Sequence, residues 1–169
     1  CLASSVIIGN FGYYKDRSPQ SVVEEMAVNR FDDVRIVGCT AGQVNGSLVE
    51  AFAQADVPVW LLTFASGVYG TQGLPEGWEK FKMKLRGYEN NTTGFIFFCP
   101  NNPDYREWKK RDIAESLKKH PFYGVDLAEP QMPGGPEAAV YGCLCDHCAA
   151  AFGKMFPDAP GMPDFSDSD

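Results

Sequence analysis

Four short apolar runs, alternating with segments of helical periodicity, set the limits on what this chain can fold into. They cover residues 4–11, 33–39, 57–64 and 122–128. The first, Ser4-Ser5-Val6-Ile7-Ile8-Gly9-Asn10-Phe11, is continuous, the mark of a strand covered on both faces. Between the first two lies Ser18-Pro19, an N-cap and first-turn pair, followed by an apolar stripe of Val22, Val23, Met26 and Ala27. Thr40 to Asn45 reads as a polar loop, and Leu48, Ala51, Phe52 and Ala55 form the stripe of a second helix. Pro58 is tolerable in the third run only because it stands at its start. Pro75 is expected to open a third helix with a stripe of Trp78, Phe81, Leu85 and Tyr88. Residues 93–99 are apolar and extended, and are read as an excursion over the mouth of the fold. Asn102, Pro103 and Asp104 then start a long helix that ends on Lys118, Lys119, His120 and Pro121, with basic residues at its negative end. A shorter helix is expected over 149–155.

Strands alternating with helices specify an α/β protein with a parallel sheet. Doubly wound and barrel folds both satisfy the alternation, but no Gly-x-Gly-x-x-Gly follows the first strand, so nothing local favours a dinucleotide site. The chain has 169 residues, fewer than the ~250 of a closed (β/α)8 barrel. The expectation is therefore the first half of a TIM (β/α)8 barrel, about four β/α units over residues 1–156, with 157–169 as loop or linker to a remainder.

Charge narrows the partners. The formal net charge is −7, whereas phosphate backbones select clustered Lys and Arg. The basic residues Lys109, Lys110, Arg111, Lys118 and Lys119 are expected to be a solvated helix face, so no nucleic-acid partner is expected. No apolar run approaches the ~20 residues that span a bilayer, so no membrane partner is expected either.

Chemistry concentrates in residues 122–148. The fourth strand ends in carboxylates, Asp126 and Glu129, followed by Pro130, and barrels build active sites at the carboxyl ends of their strands. Side chains alternate along a strand, so the two acids face opposite ways unless the strand ends or bulges near Glu129. An unpartnered charge among the helices would be costly, so Asp126 is expected to face the barrel axis with Gly124 and Ala128. The plainer alternative is that one acid caps the strand or pairs with Lys or Arg.

Further on, Cys143, Cys145 and Cys148 form Cys-x-Cys-x-x-Cys, with Cys99 well upstream. Structural zinc sites commonly take four thiolates in a tetrahedron. Three from one tight loop plus one distant residue would complete such a site, closed to water. A disulfide with free thiols, or packing and redox roles, are the alternatives. His147 is read as a surface residue and Cys39 as a small core residue.

The run Cys143-Leu-Cys-Asp-His-Cys-Ala-Ala-Ala-Phe152, shortly after an acid-ended strand and with Cys99 upstream, resembles the family 42 β-galactosidases and related uncharacterised glycosidase-like barrels. The resemblance implies a four-cysteine zinc site of Cys99, Cys143, Cys145 and Cys148. It further implies O-glycosidic bond hydrolysis with Glu129 as general acid/base on a carbohydrate substrate. That clan carries Asn-Glu at the end of strand four, and Ala128 stands where the Asn is expected. Its nucleophile comes from strand seven, which lies outside this chain, so the chain alone is expected to be inactive. Asp126 as nucleophile, as in fucosidase-like barrels, is the second assignment. Sugars stack on aromatic rings and bind polar loop tips; among Asn10, Tyr13, Tyr14, Tyr69, Trp78 and Asn102, the choice falls on Asn10 and Tyr13. Two further readings stand beside the enzyme. One is a non-catalytic carbohydrate-binding barrel relative, for which Ala128 is the motive. The other is a zinc-stabilised scaffold that pairs through open sheet edges, for instance as a homo-oligomer. A cysteine-ligated zinc also favours the cytoplasm.

Overall fold

The computed structural model describes residues 4–9, 11–85, 94–128 and 142–162. The chain divides into two compact units, Cys1–Phe64 with Lys110–Glu129, and Ala65–Lys109 with Pro130–Asp169.

In the first unit, β1 (Ser5–Ile8), β2 (Asp33–Val37), β3 (Val59–Phe64) and β6 (Gly124–Ala128) form a parallel sheet in the order β1-β2-β3-β6. Sequential order without reversal is the arrangement of consecutive strands in a barrel, and it lacks the switch point of a doubly wound sheet. The chain is thus α/β and carries part of a TIM-type (β/α) barrel. Helix α1 (Pro19–Asn29) starts where Ser18 accepts a hydrogen bond from the Ser21 amide at 3.3 Å, and it stops at Arg30 in a left-handed conformation, φ 57°. Helix α2 (Gly46–Gln54) starts at Asn45, whose side chain accepts from the Leu48 amide at 3.2 Å, and Asp56 just past its end is left-handed as well, φ 58°.

These helices cover one face of the sheet. Val22 and Met26 of α1 and Leu48, Val49 and Phe52 of α2 join Ile8, Val34, Ile36 and Val59 in a single buried cluster. Strand alternation and the register Ile7↔Arg35, Arg35↔Trp60, Trp60↔Gly124 and Leu62↔Asp126 place these residues on the other face. Asp126 therefore shares its face with Gly124 and Ala128, away from α1 and α2. An added Cβ at Gly124 would lie 2.6 Å from the Trp60 indole, so this glycine lets the ring lie against β6.

The second unit is built differently. Strands β4 (Gly67–Tyr69) and β5 (Phe95–Phe97) pair antiparallel in a separate two-stranded sheet. The extended run expected over 93–99 is thus outside the parallel sheet, and its partner strand was not foreseen. The helix expected from Pro75 is replaced by one 3-10 turn, Trp78–Phe81, entered through left-handed Gly77. Lys82 then bridges Phe98, and backbone bonds Met83 N to Phe97 O (2.9 Å) and Cys99 N to Phe81 O (2.8 Å) hold the segment extended. Tyr88 lies outside the described residues. The rings of Phe81, Phe98, Tyr105 and Trp108 pack within 6.3 Å of one another, centroid to centroid. Aromatic side chains that suggested a helical stripe serve this cluster instead.

Helix α3 (Pro103–Lys119) follows, and α4 (Asp146–Met155) begins earlier than the sequence suggested. Lys110, Arg111, Lys118 and Lys119 are exposed, but Lys109 is buried, so the basic face is not wholly solvated. Among the described residues no helix is long and apolar enough to cross a membrane.

Truncating Phe52, fully buried under the sheet, is expected to cost about 3–5 kcal/mol as Phe52→Ala. Val28→Ala on the exposed side of α1 should stay within about 0.5 kcal/mol of wild type. Urea unfolding of both variants checks the pair.

Candidate metal centre

The sulfurs of Cys99, Cys143, Cys145 and Cys148 all lie within 4.8 Å of one another. Cys99 ends the segment after β5, where its amide is held by Phe81 and its carbonyl accepts from the Asn102 amide at 3.0 Å. Cys143 lies before α4, fixed by the Leu144 amide bonded to the Lys84 carbonyl at 2.8 Å. Cys145 is the N-cap of α4, and Cys148 stands in its first turn. Cys99 and Cys143 are 1 % and 4 % exposed, packed with Met83 and flanked by Leu85 and Phe97, whereas Cys145 and Cys148 are only half-buried.

Several observations fit this cluster to a metal ion. Cys99 Sγ stands 3.4 Å from both Cys148 Sγ and Cys145 Sγ. That is far beyond the ~2.05 Å of a disulfide and near the roughly 3.8 Å edge of a tetrahedron with metal–sulfur bonds of about 2.3 Å. All four are free thiols. Cys143 Sγ accepts the Lys84 amide at 3.3 Å, and Cys148 Sγ accepts the Asn101 side-chain amide at 3.3 Å. Such donors stabilise thiolate charge, as does the positive end of α4 beside Cys145 and Cys148. Hydrogen bonding from the Cys99 thiol holds Cys143 down at about 5, helped by backbone amides. The Cys99 thiol is pushed up, first by its hydrogen bond to Cys143 and then by burial; burial raises Cys148 too. The donor set is all soft sulfur, which suits zinc-like or other thiophilic ions and not hard, oxygen-seeking ones. His147 is exposed on α4, outside the cluster.

Elsewhere the candidate residues have varied surroundings. Asp126 accepts from Arg35 Nε at 2.8 Å, and Arg35 also meets Asp33 at 3.1 Å. The Asp126 side chain is 38 % exposed, so the pair is partly solvated. Tyr13 sits in a 3-10 turn after β1, 70 % exposed. Its hydroxyl donates to Glu25 at 3.3 Å, and Arg17, itself paired with Glu25, lies 4.8 Å from its ring centroid. Tyr69 packs edge-on against Phe95, and Trp78 tilts on Phe98. Asn102 is buried, accepting from the Asp104 and Tyr105 amides and donating to the Lys80 carbonyl at 2.9 Å. It caps the helix, as the sequence suggested, and its side chain is engaged on both sides. Asn10 and Glu129 lie outside the described residues. Two residues in these surroundings went unread in the sequence, Arg35 and Asn101. The clue to Arg35 was a charge between buried Val34 and Ile36 in a strand, pointing to a second, partly polar face; Asn101 gave no clue.

No family model and no curated protein matches the sequence. Solved structures do match in fold. The galactosidase domain of the α-galactosidase–sucrose kinase AgaSK aligns with TM-score 0.55 at 12 % identity over 75 % of this chain. Two family 36 α-galactosidases of Geobacillus stearothermophilus, AgaA and AgaB, give TM-scores of 0.53 and 0.52 at 11 % and 13 % identity, over 75 % and 73 % of this chain. The chain spans about a fifth of their length, between 20 % and 21 %. The chain thus shares its fold with part of these galactosidase domains, and the two Geobacillus enzymes are of family 36, not of family 42.

Replacing Asn102 by Ala removes the cap of α3 and the bond to Lys80 together. A loss of about 1–2 kcal/mol is expected, read as a lower urea midpoint with unchanged slope.

Proposed function

We propose that this chain is part of a glycoside hydrolase acting on O-glycosidic bonds of an oligo- or polysaccharide, with Glu129 as general acid/base and a structural zinc ion on the four cysteines. The observation that carries the reading is the sheet. It is parallel and sequential, shares its fold with galactosidase domains, and sets Asp126 on the face free of α1 and α2, on the strand that Glu129-Pro130 follows directly in sequence.

The chemistry asks for two carboxyl groups in different protonation states, one to protonate the leaving oxygen and one to attack or activate water. Glu129 is assigned the proton-donor role. Asp126 accepts from the Arg35 guanidinium, which orients its carboxylate and makes it the second candidate, as nucleophile. Kinship with the family 42 enzymes in particular rests on the cysteine spacing, and Ala128 in place of Asn argues for a divergent member. The same Ala128 supports the second reading, a barrel relative that binds carbohydrate without cleaving it.

Zinc would bind through all four thiolates and supply cohesion, with no ligand position left for water. Reduced thiols of this kind suit a reducing compartment.

With the complete protein and aryl glycosides, Glu129→Gln should cut turnover of poor leaving groups by about 10²–10⁴-fold while activated ones lose far less. Equal losses on both would remove the acid role, and a wild-type protein that binds sugars without turnover would favour the second reading. For the metal, Cys145→Ser should lower zinc content measured by plasma mass spectrometry. Because protons compete with zinc for the sulfurs, wild-type zinc should be retained near neutral pH and lost progressively as the pH is lowered. Metal content unaffected by both changes would exclude the cluster as its site.

A further inference from the structure

We propose that the metal centre opens on one side, between Cys145 and Cys148, and that the Asn101 side chain is the latch that slows the metal's exit. The inference rests on reading the cluster as a metal site and adds a positioning residue and a route.

The site is lopsided. Cys99 and Cys143 are buried with Met83, and the backbone that carries them is tied to Phe81 and Lys84. A chelator reaches neither sulfur without disrupting that packing. Cys145 and Cys148 are half-buried at the start of α4, whose outer residues Asp146 and His147 are exposed. Exchange at a thiolate site proceeds by one sulfur leaving the metal at a time, and the sulfur that leaves is one that a competing ligand can approach. Among the described contacts Cys148 differs from Cys145 in one respect. Its sulfur accepts a side-chain hydrogen bond, from Asn101 Nδ2 at 3.3 Å, whereas Cys143 on the buried side relies on the backbone amides of Lys84 and Cys145.

Asn101 is exposed and lies between Cys99 and the Asn102 cap, so its backbone is fixed while its amide is free to serve the sulfur. An N–H donor disperses charge on a thiolate and fixes its direction, and loss of such an outer partner typically costs 10–100-fold in metal affinity. The bond here spans the exposed side of the site, so its loss should appear in the release rate.

The test uses the zinc-loaded full chain, with release followed at about 500 nm by the chelating dye 4-(2-pyridylazo)resorcinol. Asn101→Leu, similar in size without a donor, is expected to release zinc about tenfold faster than wild type. Asn101→Asp, which sets a carboxylate against the sulfur, should be faster still, and Lys154→Ala on exposed α4 should match wild type. The ordering Asp, then Leu, then wild type follows from hydrogen-bond donation. A packing role would make Asp resemble wild type more than Leu does. Cadmium-loaded variants should keep the wild-type thiolate-to-metal absorption, showing that four sulfurs still bind. With iodoacetamide present during release, alkylation should appear first on Cys145 and Cys148. Equal release rates for wild type and both Asn101 variants, or first labelling at Cys99 or Cys143, would overturn the proposal. A wild-type chain that takes up no zinc or cadmium would remove the metal reading itself.

Discussion

Four sulfur atoms crowded together do not hold each other. Thiol contacts are weak hydrogen bonds, and several thiolates at such spacing repel unless a cation sits among them. The second unit nevertheless converges on this cluster. Its strands are three residues each, Gly67–Tyr69 and Phe95–Phe97, and one 3-10 turn replaces a full helix. The aromatic cluster around Phe98 supplies cohesion at one place. Elsewhere Met83, Leu85 and Phe97 surround sulfur, not more hydrocarbon. A metal bound there would stabilise the fold by its full differential affinity for the folded state, so the unit's integrity and the cluster's occupancy are linked.

The first unit follows a different logic. Its stability comes from apolar burial between the sheet and two helices, with Phe52, Val49 and Ile36 at the centre. The opposite face carries Arg35 and Asp126, joined across β3 in a partly solvated pair. A pair of this kind adds little stability by itself. Its effect is on placement, since Arg35 sets the direction of the Asp126 carboxylate and supplies a charge beside it. One face thus holds the unit together by apolar burial, and the other carries the charged pair.

The sequence was most readable where local rules and burial agree. Apolar runs marked the four parallel strands, and Ser18-Pro19 and Asn102-Pro103 announced two helices, whereas the Asn45 cap of α2 was read only as the end of a polar loop. The triad Cys143, Cys145 and Cys148 was visible because three cysteines in six positions must lie close together, here across the start of α4. What escaped depended on tertiary context. Trp78 and Phe81 have helical spacing, but ring packing and the Lys82–Phe98 bridge override it. Lys109 looked like one more solvated cation and is buried. Asn102 resembled a loop ligand, yet its amide is spent on a cap and a carbonyl. Arg35 and Asp126 are far apart in the chain, so only the strand order makes them neighbours.

Both helices that cover the sheet end in backbone conformations that favour glycine, at Arg30 and just past the end at Asp56. A side chain in that region carries a penalty of roughly 1 kcal/mol, and neither residue belongs to the metal cluster or to the Arg35–Asp126 pair. The protein therefore keeps an untapped thermostability reserve at its helix ends, open to engineering or to drift. Harmful changes near either centre have somewhere remote from which to be compensated.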